Sequence, residues 1–310
     1  MILVTGANGL LGQFLVKGLV ENGRQVLATG KGASRLYFPE DLAIQGGSAS
    51  YLYADMDFTV EADVRATFNR WKPTMVIHAG AMTQVDPCEL DPEACYRVNV
   101  EGTQVLLEAA AAVGARFLFV STDFVFDGSA GPYTEEDAPN PISAYGRSKW
   151  EAEKLVMAAP IPWAIVRTVL VYGTPLSGTR SNIITWTRSN LESGKRIKVV
   201  CDQWRTPTYV EDLAQGIVTM VRLSTSGLYH LSGKDFMTPY DMALRTARHL
   251  GLDETLLTQV DASTFSQPGP RPPRTGFVID KAIRDLGYAP LSFEEGIIRT
   301  LHVEQAKNQF

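Results

Sequence analysis

Apolar residues open the chain as a short run, Ile2 to Thr5. After a glycine-containing segment, Phe14, Leu15, Leu19 and Val20 recur at helical spacing up to Asn22 and Gly23. This order predicts a strand, a glycine turn and an amphipathic helix. The alternation continues, with strand candidates at Gln25 to Thr29, Ser50 to Ala54, Thr74 to His78, Phe117 to Ser121 and Trp163 to Arg167. Helical stretches such as Thr59 to Trp71 and Glu93 to Val113 lie between them. Apolar strands separated by helices predict an α/β chain with a doubly wound parallel sheet covered on both faces. Beyond about residue 170 the rhythm changes. Helices are expected at Ser181 to Leu191, Val210 to Leu223, Pro239 to Leu250, Lys281 to Leu286 and Phe293 to Val303, and strands at Ile197 to Val200 and Leu228 to Leu231. The reading is a sheet domain over residues 1–170 and a smaller mixed α/β lobe over 171–310, with some later strands extending the main sheet.

The first turn reads Thr5-Gly6-Ala7-Asn8-Gly9-Leu10-Leu11-Gly12, a G-x-x-G-x-x-G spacing between strand and helix. Such glycines let the backbone approach a pyrophosphate, and the N–H groups opening the helix offer it partial positive charge. The turn therefore predicts a Rossmann-like dinucleotide site with Gly6, Asn8, Gly9, Leu10, Leu11 and Gly12 along it. Ligands in such sheets bind at the carboxyl ends of the strands, where Asp55, His78-Ala79-Gly80-Ala81 and Thr122 also fall. Asp55 is placed to accept from an adenine amino group and Met56 to pack on the ring. The end of the second strand carries no acid for a ribose 2′-hydroxyl and supplies Lys31, Ser34 and Arg35 instead, so NADPH is preferred to NADH.

Tyr145 and Lys149 stand four residues apart and share a helix face. A free phenol ionises near pH ~10, and a neighbouring cation lowers that value, which suits a proton donor. Thr122 is placed to hold the reacting oxygen, and Asn99 to brace the proton path. His78 lacks a second His at ligand spacing and reads as a structural residue, with no metal implied. Glu135, Glu136 and Asp137 read as a solvated charge run. Arg205, Arg271 and Arg274, in proline-rich segments of the second lobe, could pair with phosphate oxygens through the guanidinium fork.

At 310 residues with a net charge of −5, the chain can bury a sizeable core and presents no electrostatic case for nucleic acid or an anionic membrane. It shows no signal-peptide pattern and no apolar run of membrane-spanning length. Cys88, Cys95 and Cys201 form no framework and suit a cytoplasmic protein with buried thiols.

The motifs T-G-A-N-G-L-L-G, N-V-E-G-T, S-T-D-F-V-F-D-G, P-Y-T-E-E-D-A-P-N-P, Y-G-R-S-K, R-T-x-x-V-Y-G, D-Q-x-x-x-P-T and V-E-D-L-A run nearly end to end. Together they resemble the extended short-chain dehydrogenase/reductase family, and most of all its dTDP-4-dehydrorhamnose reductase branch. The resemblance implies a catalytic set of Thr122, Tyr145 and Lys149, with Ser121 beside it and Thr83, Phe124 and Leu170 near substrate. It implies reduction of a nucleotide-linked 4-keto-deoxysugar, in a possible homodimer. Two positions depart from the branch: Phe124 stands where Tyr is usual, and Val169-Leu170 where Ser-Trp is usual. A hydroxyl and an indole N–H are lost, leaving the substrate class open. The alternatives are an epimerase or dehydratase of nucleotide sugars, a reductase of a small non-sugar carbonyl, and a non-catalytic subunit resembling the methionine adenosyltransferase β subunit.

Overall fold

The computed structural model describes residues 1–37 and 51–308. Ser50, the expected first residue of the third strand, lies outside them. The first part runs β1 (Ile2–Thr5), α1 (Leu10–Glu21), β2 (Val26–Gly30), β3 (Tyr51–Asp55), α2 (Glu61–Trp71), β4 (Met75–His78), α3 (Val85–Leu90) and α4 (Pro92–Tyr96). A π-helical turn, Arg97–Glu101, then leads into α5 (Gly102–Ala112), β5 (Arg116–Thr122), α6 (Ala144–Ala158) and β6 (Trp163–Thr168). The remainder comprises β7 (Val171–Tyr172), α7 (Ile183–Glu192), β8 (Ile197–Val200), β9 (Thr208–Tyr209), α8 (Val210–Leu223) and β10 (Gly227–His230). It ends with α9 (Pro239–Leu250), β11 (Leu257–Val260), α10 (Asp280–Leu286) and α11 (Phe293–Asn308).

Seven parallel strands form the main sheet in the order β10-β6-β5-β4-β1-β2-β3. Leu3, Val4, Leu27, Val76 and Leu118 are fully buried, as expected of strands covered on both faces. Each such side chain contributes roughly 1.5–3 kcal/mol relative to exposure. One face packs on α1 and α8, the other on α2, α5 and α6. β10, from beyond residue 170, completes the sheet's edge beside β6. A smaller parallel pair, β8 with β11, packs with α7 and α9 around Leu191, Ile197, Val199 and Leu257.

The order reverses at β1, where the chain continues to β2 on one side and β4 lies on the other. The register pairs Thr5 with His78 there, so Gly6 and the Ala79–Ala81 segment leave the sheet side by side. This is the crevice where a doubly wound sheet binds its ligand. The expected continuous helix Glu93–Val113 is instead three pieces around the π turn that carries Asn99. Extra-residue turns of this kind occur often at functional sites.

Candidate active site

The turn after β1 is packed too tightly for side chains. Gly6 holds φ at +68°, and a Cβ on Gly12 would lie 2.2 Å from the Gly6 carbonyl oxygen. The spacing thus reflects α1 resting on the turn that precedes it. Gly9 caps α1 without a side-chain hydrogen bond, and no acid occupies the first turn, so those N–H groups are available to an anion. Leu10 packs in the core and Leu11 against it, leaving only their main chain for a ligand. The Asn8 side chain has structural partners: its amide donates to the Ala33 carbonyl and the Tyr53 hydroxyl, and its oxygen accepts from Arg35 N–H. It staples the segment after β2 to the glycine turn.

A cavity of about 80 Å³ lies between the ends of β1, β2 and β3, lined by Gly6, Gly30, Lys31, Met56, Asp57 and Phe58 among others. It opens beside the uncapped helix start and the glycine turn, where a dinucleotide would be held. Met56 reaches it from a core position, 2 % exposed. Asp55 is placed differently from expectation, accepting from Gly32 N–H at 2.8 Å and bracing the turn after β2. Lys31 pairs with Asp57 at 2.8 Å, while Ser34 accepts from Leu36 N–H and Arg35 lies exposed. Sequence reading missed Asp57 and Phe58, although both follow directly on Asp55-Met56.

His78 is buried between the Thr5 hydroxyl (2.7 Å) and that of Thr103 (3.1 Å), and desolvation holds its pKa well below the usual value. It is a neutral strut between β1, β4 and α5. Asn99 is 1 % exposed. Its side chain accepts from Met82 N–H and donates to the Met82 carbonyl and the Ser148 hydroxyl, fixing the loop after β4 against α6. Ala79, Gly80 and Ala81 line that edge, with Gly80 N–H donating to Thr5, while Thr83 is exposed.

Helix α6 brings Tyr145 and Lys149 to the carboxyl end of β5. Ser143 caps it, and Glu89 accepts from the Ala144 N–H. Its first turn presses on the turn after β5: a Cβ on Gly146 would meet the Phe124 carbonyl oxygen at 2.1 Å. Gly146→Ala is therefore expected to cost about 1–3 kcal/mol, the usual range for overpacking. A urea midpoint equal to that of the parent protein would contradict this packing.

Tyr145 is 8 % exposed and stacks at a tilt on Phe124, ring centroids 5.8 Å apart. Burial pushes its phenol above the usual value, while the Thr122 hydroxyl, within hydrogen-bonding reach, pulls the other way. The expected lowering by Lys149 needs correction here. Lys149 donates to the Val120 carbonyl at 2.8 Å and lies over the Phe119 ring, and desolvation brings its own pKa to about 7. One helical turn places it beside the same strand end without aiming it at the phenol. A phenol so raised stays protonated throughout neutral pH, as a proton donor requires. Ser121 is buried and its hydroxyl has no hydrogen-bond partner. Cys88 and Cys95, buried in the same cluster as Tyr145, lie within hydrogen-bonding reach of each other.

The arginines divide. Arg205 is 5 % exposed, donates to the Trp204 and Pro272 carbonyls and approaches Asp123 at 3.7 Å. It is committed to the protein, contrary to a phosphate-binding role. Arg271 likewise forks onto Asp86, 2.5 and 2.8 Å, clasping the loop near residue 270 to α3. Arg274 is exposed, over Trp204 and Phe236, and among the three it alone is left for an anion. Leu170 is 46 % exposed with φ of +36°, and Phe124 lies under Arg205. Glu135 accepts from the His230 N–H and Asp137 from Thr134, so the acidic run is partly tied down.

The Arg271 fork holds the Asp86 carboxyl at about 2, below its usual value. Its contribution is present above the unfolded group's ~3.9 and lost as pH falls through about 2. Asp86→Asn is expected to destabilise by at most about 1 kcal/mol at pH 7, the pair being partly exposed. Urea midpoints of parent and variant should draw together as pH falls and converge below pH 2; a difference that persists there would show another cause.

The family model described as RmlD substrate binding domain matches residues 1–306. Methionine adenosyltransferase 2 subunit beta of Xenopus tropicalis is 33% identical over 278 residues, 88% of this chain and 79% of its own length. The dTDP-4-dehydrorhamnose reductase of Aggregatibacter actinomycetemcomitans is 30% identical over 309 residues, 96% of each chain. The solved dTDP-4-dehydrorhamnose reductase of Bacillus anthracis str. Ames, in complex with NADP, superposes with a TM-score of 0.80 at 26% identity, covering 97% of this chain and 98% of its own. With a tyrosine and a lysine on one helix beside a glycine turn that fits a dinucleotide, this chain belongs to the RmlD substrate binding domain family within the extended short-chain dehydrogenase/reductases.

Proposed function

We propose that the protein is an NADPH-dependent reductase of a nucleotide-linked 4-keto-deoxysugar. The observation that carries this reading is the convergence of Tyr145, Thr122 and Lys149 at the strand edge that ends in the glycine turn. The likeness over 96% of the chain to the Aggregatibacter dTDP-4-dehydrorhamnose reductase supports it. The NADP complex of the Bacillus anthracis relative supports the cofactor, as does Lys31, which lines the cavity at the ends of β1, β2 and β3.

A dinucleotide held at the glycine turn would supply hydride to the carbonyl carbon. Thr122 positions the carbonyl oxygen and Tyr145 protonates it as charge develops. Lys149, donating to the Val120 carbonyl, lies under the site and is placed to take the nicotinamide ribose. Asn99 keeps the loop after β4 in place through Met82. Arg274 is the cation assigned to the diphosphate. Phe124 and Leu170 give the sugar an apolar wall, which suits a deoxysugar better than a fully hydroxylated one.

The test is NADPH oxidation, followed by absorbance, with a panel of 4-keto nucleotide sugars and small carbonyls. Consumption with the sugars alone supports the reading; retention of tight cofactor without net consumption points to an epimerase or dehydratase. A second reading, a partner subunit without turnover, draws on the likeness to methionine adenosyltransferase 2 subunit beta. No turnover with any substrate, together with binding to a methionine adenosyltransferase, would favour it. A cytoplasmic location and a homodimer accompany the proposal, the latter checked by sedimentation. No helix of the described residues is long and apolar enough to cross a membrane.

A further inference from the structure

Four residues from separate segments close a ring of hydrogen bonds beside the glycine turn. Gln13, near the start of α1, is 2 % exposed. Its side-chain amide donates to the Asn8 carbonyl at 3.3 Å and to the Ser177 carbonyl at 3.1 Å, and its oxygen accepts from the Ser177 N–H at 2.9 Å. The Ser177 hydroxyl donates to the Arg35 carbonyl, and the Arg35 N–H donates back to the Asn8 side-chain oxygen at 2.8 Å. Both ends of the Gln13 amide are thus spent within the protein, gripping the two main-chain groups of a residue 164 positions away. Ser177 belongs to the segment between β7 and α7. That segment starts from the strand directly after Leu170, buries Leu176 at 1 % exposed, and ends at Asn182, which caps α7 and donates to the Gly173 carbonyl. Helix α7 in turn packs on α9 beside the β8–β11 pair.

We infer that Gln13 is a positioning residue that couples dinucleotide binding to the placement of the segment joining the Leu170 wall to α7. The inference rests on the reductase reading for the identity of both ligands. An anion held by the N–H groups that open α1 fixes the turn containing Asn8. Gln13 grips that turn through the Asn8 carbonyl and passes the restraint to Ser177 through a planar amide bonded at two points. Arg35 closes the ring from the segment after β2, so the turn and Ser177 move as one unit. Ser177 lies seven residues beyond Leu170, on the far side of β7, so a restraint there steadies the wall that faces the sugar. Such a coupling is reciprocal: the dinucleotide tightens nucleotide-sugar binding by the same factor as the nucleotide sugar tightens the dinucleotide.

Gln13→Met keeps the length of the side chain and removes all three of its hydrogen bonds. The probe is dTDP-rhamnose, which has no ketone to reduce, titrated calorimetrically with and without saturating NADPH. About tenfold tightening by NADPH is expected in the parent protein, within the usual span of coupling factors, and less than about twofold in the variant. A merely structural role for Gln13 would weaken each ligand and leave that factor unchanged. An unchanged factor, or the lack of one in the parent, overturns the inference. If Gln13→Met does not fold, Ser177→Ala opens the ring at Arg35 alone and should lower the factor; a factor at the parent level then counts against the coupling. Absence of dTDP-rhamnose binding to the parent would sink the nucleotide-sugar reading instead. In that case hydrogen exchange over residues 173–182 still decides. NADPH should slow it about tenfold in the parent and leave it unaltered in Gln13→Met, and an equal response in both refutes the coupling.

Discussion

Tyr145→Phe is expected to lower kcat by about 10²–10⁴-fold while leaving NADPH affinity within a few-fold of the parent protein. The phenol is buried against Phe124, so removing one oxygen keeps the ring packing, and a folding defect would not be the cause. The remaining loss is that of a proton donor with no replacement at hand: Thr122 and Ser121 carry hydroxyls nearby, but an alcohol is a weaker acid than a phenol. Stopped-flow or steady-state NADPH oxidation, paired with calorimetric binding of the dinucleotide, checks both halves. Turnover within about threefold of the parent would remove Tyr145 from the chemistry.

Lys149→Met is expected to abolish turnover to a similar degree and at the same time to change how stability depends on pH. Lys149 is 2 % exposed, and desolvation brings its pKa from 10.5 to about 7, opposed by Glu153 one turn further along α6. Below pH 7 the lysine is charged in both folded and unfolded chains, and the cost of burying that charge is fully present. As pH rises from about 7 towards 10.5, the folded protein releases the proton first, so stability rises across that window. At about 1.4 kcal/mol for each tenfold, the cost is on the order of a few kcal/mol, reduced by the Val120 carbonyl and the Phe119 ring under Nζ. Methionine removes both the charge and its titration. Urea midpoints measured from pH 6 to 9 should flatten in the variant relative to the parent. A parent-like slope would mean that Lys149 stays protonated throughout, with its charge stabilised by the site.

Much of this was legible because buried parallel strands write continuous apolar runs. The six strands expected in the first part match β1 to β6 within about two residues at each end, and Leu228 to Leu231 proved to be the sheet's edge strand. The glycine turn and the Tyr145–Lys149 pair are local patterns, set by spacing along one helix or one turn. What eluded the sequence is non-local. Arg205 and Arg271 read as free cations because their partners, Asp123 and Asp86, lie 82 and 185 residues away along the chain. Helix α3 was missed because Val85-Asp86-Pro87-Cys88-Glu89-Leu90 is a single short turn pair with a proline near its start. β11 was missed because Leu257–Val260 offers only four residues of alternating polarity.

The outermost strand on the β6 side has a further consequence for biogenesis. β10 is drawn from residues 227–230, and the helix packed beside α1 comes from just before it. A ribosome that has made the first 200 residues has released every other strand of that sheet, yet β6 still presents bare amide and carbonyl groups along one side. An unprotected strand of that kind invites pairing with neighbouring nascent chains. Premature termination upstream of residue 227 is thus predisposed to yield aggregates rather than a smaller working cofactor domain.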